Sequence, residues 1–327
     1  MDQTNISMPA YFIISGFSDL HMVRVTFFLV VLLIYLFTLG GNMTIVLLVC
    51  QDPSLHTPMY FFLVNLSVLD ICSSTISLHK VLIDFISGDN TVSVLGCLVQ
   101  IFMFLSMSCN ELLILTAMSY DRYVAICNPL HYHTIMSCKV CAFMAIACWA
   151  MSFSENTPTF MGLIRIICYK ANRINHFFCD VVPVIKVSCS DTSFLELYMT
   201  TAGVFIAGIP PFLFTFASYF YIIATILRIP SSIGRRKAFY TCSSHLTVVI
   251  LLYTTLIFQY LTPYSVVNLD SKKFSSLFNT AAVPILNPLV YSLKNKDVIA
   301  AFRRQIKIAN FCQEKDHKER NDTNPND

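Results

Sequence analysis

Residues 25–51 read VTFFLVVLLIYLFTLGGNMTIVLLVCQ, and this stretch contains no Asp, Glu, Lys or Arg. Two further charge-free runs extend from Ala238 to Leu269 and from Phe274 to Leu293. Each run has the roughly 20 residues that a helix needs to cross a bilayer. A transmembrane barrel would instead alternate polar and apolar residues over about ten positions. The runs therefore predict membrane-spanning helices.

The composition points to lipid as the solvent. Of 327 residues, 55% are hydrophobic and 13% are charged, whereas soluble domains carry about a quarter of their residues as charges. The net charge of +3 gives no support to nucleic acid binding.

Seven apolar segments follow one another, at residues 25–50, 57–79, 98–123, 140–163, 196–227, 238–262 and 271–293. Glu155 and Pro158 interrupt the fourth, which leaves its boundary open. No soluble domain or low-complexity linker separates the segments, so we predict an all-α fold, a seven-transmembrane helix bundle. We expect an extracellular tail at 1–24, the transmembrane bundle at 25–293, an amphipathic helix at 294–309 and a disordered cytosolic tail at 310–327.

The basic residues predict the orientation. If the N-terminus is extracellular, most of the 22 Lys and Arg residues lie on the cytosolic side, and Arg235-Arg236-Lys237 contributes most strongly. Of the Asn-x-Ser/Thr triplets at Asn5, Asn42, Asn65 and Asn321, we expect glycosylation at Asn5 alone, because it lies in the outer tail. Val298, Phe302 and Ile306 recur every four residues, which predicts a short amphipathic eighth helix on the cytosolic membrane surface.

The third segment places chemically distinct residues on one helical face. From one end to the other this face holds Cys97, Ile101, Phe104, Ser108, Glu111, Leu115 and Arg122. Its end reads MSYDRYVAIC at 118–127, followed by NPLHY at 128–132.

Further motifs accompany this stretch along most of the chain. They are GN at 41–42, LHTPMYFFL at 55–63, LS at 66–67 ahead of Asp70, KAF at 237–239, TCSSHL at 241–246, PILNP at 284–288 and YSLKN at 291–295. Together with the MSYDRYVAIC stretch, these motifs closely resemble the odorant (olfactory) receptor family of rhodopsin-like G-protein-coupled receptors. The resemblance implies a receptor for small, mostly apolar volatile molecules in the plasma membrane. It also implies coupling to a stimulatory heterotrimeric G protein that raises cyclic AMP.

By this resemblance, Asp121 holds Arg122 in the resting state, and activation frees Arg122 as the helices part for the G protein. An ordinary surface ion pair, worth under about 1 kcal/mol, is the alternative. The coupling residues implied by the family are Asp121, Arg122, Tyr123, Tyr219, Asn287, Pro288 and Tyr291. By the same resemblance, Tyr219 and Tyr291 help to hold the open state. Pro288 also predicts a kink, because proline lacks the amide hydrogen of the helical ladder.

Asp70 and Glu111 are acids inside apolar segments, where ionisable groups are costly and usually functional. By resemblance, Asp70, Glu111 and Asn287 form a polar cluster that can hold a sodium ion. The alternative is a protonated structural carboxyl. We expect no other cofactor.

Four cysteines fall on the predicted extracellular side, namely Cys97, Cys168, Cys179 and Cys189, and four cysteines allow three pairings. The resemblance selects Cys97–Cys179 and Cys168–Cys189. Cys138 and Cys141 have the spacing of a redox or half-zinc site, but we interpret them and the other cysteines as packing residues.

The resemblance places the ligand pocket in the outer half of the bundle, between segments three, five, six and seven. The implied ligand-binding residues are Phe104, Leu105, Ser108, Cys109, Leu112, Gly203, Ala207, Tyr253, Leu256, Ile257, Tyr260, Leu277 and Thr280. For each, ordinary helix packing is the alternative. Amine receptors of the superfamily have an aspartate where Phe104 stands, so amine ligands are disfavoured. Thr254 and Glu155 depart from the family pattern.

The runner-up function is a receptor of the same fold for a non-odorant lipid-like or metabolite ligand. A transporter would show paired halves with broken helices, and a channel would show a filter loop or rings of charge. Neither pattern is visible, and no nucleophile–base pair or metal set suggests an enzyme.

Overall fold

The computed structural model describes residues 6–7, 9–16, 21–258, 273, 275–293, 297–307, 310 and 313. Its α-helices are α1 (His21–Gln51), α2 (Pro58–Ser87), α3 (Val94–Cys127), α4 (Tyr132–Ile135), α5 (Cys138–Ile164), α6 (Val181–Lys186), α7 (Ser193–Ala202), α8 (Ile209–Leu227), α9 (Ser232–Leu256) and α10 (Val283–Leu293). Short strands are β1 (Ile6–Ser7), β2 (Tyr11–Ile14), β3 (Thr91–Ser93), β4 (Cys168–Tyr169) and β5 (Arg173–Ile174). Residues 297–307 are also helical.

Within the described residues, six helical segments are long and apolar enough to cross a membrane, and α7 and α8 together form one of them. The described part of the seventh predicted segment, residues 275–293, passes through a π-helical turn (Phe278–Ala282) into α10. Large side chains such as Phe37 and Phe143 are exposed on the outside of the bundle. Lipid tails solvate such side chains as well as a protein core does. The predicted all-α bundle is confirmed.

The helices extend beyond several predicted limits. The second segment was predicted to end at residue 79, but α2 continues to Ser87 and ends at Gly88, whose φ of 71° suits glycine. Lys80 and Asp84 pair one turn apart, with Nζ and Oδ1 at 2.5 Å. Charges at the end of an apolar run therefore extend this helix rather than ending it.

The fourth segment is one helix, because α5 passes through both residues that interrupt the apolar pattern, Glu155 and Pro158. Side chains just before the proline support the backbone there. The Asn156 amide donates to the Ser152 carbonyl at 2.8 Å, and the Thr157 hydroxyl donates to the Phe153 carbonyl at 2.8 Å. A proline inside a membrane helix is tolerated where other groups satisfy nearby backbone atoms.

The fifth segment contains a π-helical stretch, Gly203–Gly208, between α7 and α8. Pro210 and Pro211 follow and remove two backbone donors, and such a local change of helical pitch accommodates them. A Cβ on Gly208 would lie 2.9 Å from the Gly203 carbonyl oxygen, so this tight stretch requires glycine.

A small cap of strands covers the end of the bundle that holds Cys97, which we call the disulfide end. Strand β2 pairs with β3 antiparallel and with β5 parallel, and β1 pairs with β4. Phe12 of β2 is fully buried and packs edge-on against Tyr169, with ring centroids 5.0 Å apart. Part of the predicted N-terminal tail therefore belongs to the folded cap, which the helical pattern of the sequence did not reveal.

The helix at 297–307 lies at the opposite end of the bundle. Of the predicted apolar stripe, Val298 is buried, while Phe302 and Ile306 are about half exposed. Only part of the stripe is therefore buried in the protein. Arg304 donates to Asp52 Oδ2 at 2.6 Å and to Ser54 Oγ at 2.8 Å, which attaches this helix to the turn after α1. Residues 294–296 and 308–309 lie outside the described residues.

Candidate functional site

A cavity of about 530 Å³ lies near the disulfide end, between α3, α5, the α7–α8 segment and α9, with α6 beside it. The greater part of its surface is apolar. The predicted residues that line it are Leu105, Ser108, Cys109, Leu112, Gly203, Ala207, Tyr253, Leu256 and Ile257. Thr254, the neighbour that departs from the family pattern, is exposed and does not line this cavity.

Phe104, Leu277 and Thr280 do not line the cavity. Phe104 is buried against Phe178, with ring centroids 5.0 Å apart, and Phe177 joins the same cluster. These loop phenylalanines fill the space between α3 and the seventh segment. Leu277 packs against this cluster, and the Thr280 hydroxyl donates to the Ser276 carbonyl at 2.9 Å.

Among the described residues, the fourth segment lines the cavity and the seventh does not, so the cavity seen here differs from the predicted pocket in one bounding helix. Glu155, Asn156 and Thr159 of α5 line the cavity, and the Tyr198 hydroxyl of α7 donates to the Glu155 carbonyl at 2.9 Å. These three residues were not assigned to the pocket from the sequence. The acid at Glu155, which interrupts an apolar segment, was the sequence feature that could have indicated them. Tyr260 lies outside the described residues.

A buried polar cluster lies deeper in the bundle, where α2, α3 and α10 meet. The Asn287 amide donates to Asp70 Oδ1 and Oδ2 at 3.0 and 3.1 Å, and to Glu111 Oε1 at 3.3 Å. Asp70 and Asn287 are both almost fully buried. The structure thus brings together the three residues that the family resemblance grouped.

The donor set of this cluster suits a hard monovalent cation. It offers two carboxyl groups, and Asn287 Oδ1 and Ser74 Oγ are buried without a hydrogen-bond partner among the described residues. Ser74 follows Asp70 by one turn of α2. Oxygen ligands of this kind are those that sodium prefers, and a bound cation would neutralise the facing acids.

At the far end of α3, Asp121 is fully buried and accepts two kinds of hydrogen bond. Arg122 Nη2 contacts Asp121 Oδ2 at 2.5 Å, and the Tyr132 hydroxyl donates to Asp121 Oδ1 at 2.7 Å. Because Asp121 is buried, this arrangement differs from an exposed surface ion pair. Tyr132 of α4 is a partner that sequence reasoning missed, although it lies in the NPLHY stretch.

The α8 and α9 helices meet near this end through Tyr219 and His245. Both side chains are buried, and the Tyr219 hydroxyl also contacts the Cys242 carbonyl at 3.4 Å. Tyr123 packs against the same cluster. Pro288 lies within α10, and its ring approaches Gly41, where a Cβ would lie 3.2 Å from Pro288 Cγ. The side chain of Tyr291 lies outside the described residues.

Comparison with known proteins decides the family. The family model for olfactory receptors matches residues 31–308. The chain is 42% identical to Olfactory receptor 8G50 of Mus musculus over 311 residues, which cover 95% of this chain and 99% of that relative. It is 44% identical to Olfactory receptor 2H2 of Homo sapiens over 300 residues, which cover 92% and 96%. The chain belongs to the olfactory receptor family.

Olfactory receptors are seven-transmembrane G-protein-coupled receptors and not enzymes, so this receptor is a multi-pass membrane protein. Two disulfides, Cys97–Cys179 and Cys168–Cys189, join the pairs that the resemblance selected. The first ties the loop before α6 to the start of α3. Among the other cysteines, Cys138 is exposed and Cys141 is buried.

The loop of the receptor between β5 and α6 is held by buried polar and aromatic contacts. Lys273 Nζ donates to Asn175 Oδ1 at 2.5 Å and to the Gly16 carbonyl at 3.3 Å. His176 is buried against Phe177 and Phe178. This burial, together with the charge of Lys273, lowers the pKa of His176 to about 3. The predicted glycosylation site Asn5 lies outside the described residues.

Proposed function

We propose that this receptor binds small, mostly apolar volatile molecules in the cavity and activates a stimulatory heterotrimeric G protein, which raises cyclic AMP. The observation that carries the proposal is the placement of two sites on one helix. The cavity contacts α3 at Ser108 and Leu112, and Arg122 lies on the same helix. Fourteen residues of helix span about 20 Å, so α3 connects a ligand site to a coupling site across much of a bilayer.

The cavity supports the ligand class. Its size and largely apolar lining, with the hydroxyl groups of Ser108 and Tyr253, suit a small molecule with an apolar body and a polar group. The Tyr253 hydroxyl is buried and has no hydrogen-bond partner among the described residues. A ligand with a polar group would relieve the cost of leaving that hydroxyl unpaired.

The coupling site supports the signalling step. Asp121 holds Arg122 in a closed arrangement, and the Tyr132 hydroxyl donates to the other oxygen of the Asp121 carboxylate. Release of Arg122 as α9 moves away from α3 would open a polar recess for a segment of the G protein. The basic residues Arg228, Arg235 and Arg236 lie towards this end, and the positive-inside bias supports a cytosolic location for it. The disulfide end and the N-terminus are then extracellular, where disulfides form.

A cyclic-AMP reporter assay with an odorant panel tests the proposal, with ion flux measured in the same cells. We expect some odorants to raise cyclic AMP without ion flux. Arg122→Ala should reach the cell surface and bind ligand but lose signalling. Arg228→Ala, a matched change at the exposed end of α8, should retain it. Surface-expressed receptor that changes ion flux but never cyclic AMP would contradict the proposal.

A further inference from the structure

Glu155 places a carboxyl group in the wall of the ligand cavity. It lies in the middle of α5, at a position where the family pattern has apolar residues, and it is half-buried. Its Oε2 accepts a hydrogen bond from the Cys109 thiol at 3.2 Å, and Cys109 also lines the cavity. The two residues bring α5 and α3 together at the cavity surface.

The Cys109 thiol satisfies only part of this carboxyl group. A thiol is a weak donor, whereas an ionised carboxylate can accept about four hydrogen bonds. Lys186 and Glu196 also line the cavity, but the ion pairs seen among the described residues do not include Glu155. The neighbouring Tyr198 hydroxyl donates to the backbone carbonyl of Glu155 and leaves the side chain free for other contacts.

An acid in a membrane-spanning helix is costly and is usually retained for a function. Helix packing offers one function, because the carboxyl contacts Cys109 of α3, but Glu155 also lines the cavity. Leu105, Leu112 and Ala207 supply apolar surface around it. A ligand with an O–H or N–H donor would satisfy the carboxyl, while its hydrocarbon body would occupy this apolar surface.

We propose that Glu155 is the polar anchor of the cavity and selects ligands that carry a hydrogen-bond donor, either an alcohol hydroxyl or an ammonium group. This inference rests on the proposed function of the cavity as the ligand site. Amine ligands were disfavoured because Phe104 of α3 stands where amine receptors have an aspartate. The proposal differs from that expectation, because Glu155 supplies an acid from α5 instead.

The first test compares ligands on the unmodified receptor. Alcohols, primary amines and methyl ethers are matched on the same linear, cyclic and aromatic carbon skeletons, and cyclic AMP is the readout. Because a hydrogen bond to a charged group is strong, we expect the alcohol or the amine to be at least about tenfold more potent than its ether. Ethers of equal or greater potency would overturn the proposal.

Two variants then separate the donors. Glu155→Gln keeps an acceptor oxygen but removes the charge, so alcohols should retain their potency within about threefold while amines lose about tenfold or more. Glu155→Leu should remove the preference for both donors over ethers. Asp191→Asn removes an exposed acid outside the cavity and should leave every ratio unchanged. Surface expression is measured for each variant.

The outcomes distinguish this proposal from the proposed function. If ligands activate the receptor and Arg122→Ala abolishes the response, but Glu155→Gln keeps the parent's amine-to-alcohol ratio and Glu155→Leu keeps the parent's preference for donors over ethers, the anchor is wrong and the receptor function stands. If surface-expressed receptor responds to none of the panel, both fail. If Glu155→Leu does not reach the surface, the proposal is still tested by the potencies of the matched ligands on the parent receptor and by the amine-to-alcohol ratio of Glu155→Gln.

Discussion

The Tyr219 hydroxyl and His245 Nδ1 lie 2.6 Å apart, and their rings stack at an angle of 13°. The pair joins α8 to α9 inside the bundle, close to the end at which Arg122 is bonded to Asp121. The family resemblance assigns Tyr219 to the open state, in which it would help to hold the parted helices. In this structure its hydroxyl is instead engaged by α9. The pair therefore belongs to a closed arrangement, and Tyr219 must leave His245 before it can take the other role.

We expect His245→Phe to raise signalling without ligand by about fivefold, since it removes a hydrogen bond worth about 1 kcal/mol from the closed state. Tyr219→Phe should instead lower the maximal ligand response, because the hydroxyl is lost from both states. Basal and stimulated cyclic AMP, normalised to surface expression, measure both effects. Equal basal activity in the parent and in His245→Phe would argue against a restraining pair.

Tyr132 is a second restraint on the coupling site. Tyr132→Phe removes the hydroxyl that donates to Asp121 at 2.7 Å but keeps the ring. A hydrogen bond to a charged acceptor contributes about 1.5–3 kcal/mol, so we expect basal signalling to rise roughly tenfold or more. His133→Phe, at the adjacent position of α4, is the control. If Tyr132→Phe and His133→Phe have the same basal activity, Tyr132 does not restrain the coupling site.

The cluster of Asp70, Glu111 and Asn287 predicts a response to sodium. If a sodium ion stabilises the resting bundle, replacing external sodium by a large organic cation should increase agonist potency several-fold. Glu111→Gln should reduce this sensitivity, because it removes a negative ligand. If agonist potency does not depend on sodium in either protein, no sodium ion stabilises the resting bundle. The cluster would then act through its hydrogen bonds alone.

His176 predicts that acid destabilises the cap. Its pKa is about 3 in the folded receptor and about 6.5 in an unfolded chain. The unfolded state therefore binds more protons between these values, so the free energy of unfolding falls as the pH falls from about 6.5 towards 3. At pH 5 this loss is about 2 kcal/mol.

Thermal unfolding of purified receptor at neutral and mildly acidic pH measures the effect. His176→Gln, which does not titrate, should lose most of the pH dependence. The interpretation is wrong if the variant and the parent show the same decrease in melting temperature on acidification.

Phe12 tests whether the N-terminal strand belongs to the fold. Phe12 is fully buried against Tyr169, whereas the adjacent Tyr11 is 49% exposed. We expect Phe12→Ala to destabilise the cap by about 3–5 kcal/mol, as is usual for a buried phenylalanine. Tyr11→Ala should have a small effect. Melting temperature and surface expression give the comparison, and equal behaviour of the two variants would show that the strand adds no stability.

Much of the candidate site was predicted from the family resemblance. It assigned Ser108, Cys109 and Leu112 to the pocket, and these residues of α3 line the cavity. Helical periodicity by itself placed Ser108, Glu111 and Arg122 on one face of α3, because that relationship needs no knowledge of distant residues. Glu155 was visible as a departure from an apolar pattern, but its spacing did not show which face of α5 it occupies.

By itself, the sequence determined that this protein is a bundle of membrane-spanning helices. Long charge-free runs leave the backbone no partner in lipid except its own helix, so their secondary structure is decided locally. Only the tertiary structure decided which helices line the cavity. Phe177 and Phe178, far from α3 in the chain, fill the space beside Phe104, so the cavity lies against α5 instead. The strand cap depends on equally distant contacts, because β2 pairs with residues near 92 and 174, and helical periodicity carries no signal of such pairing.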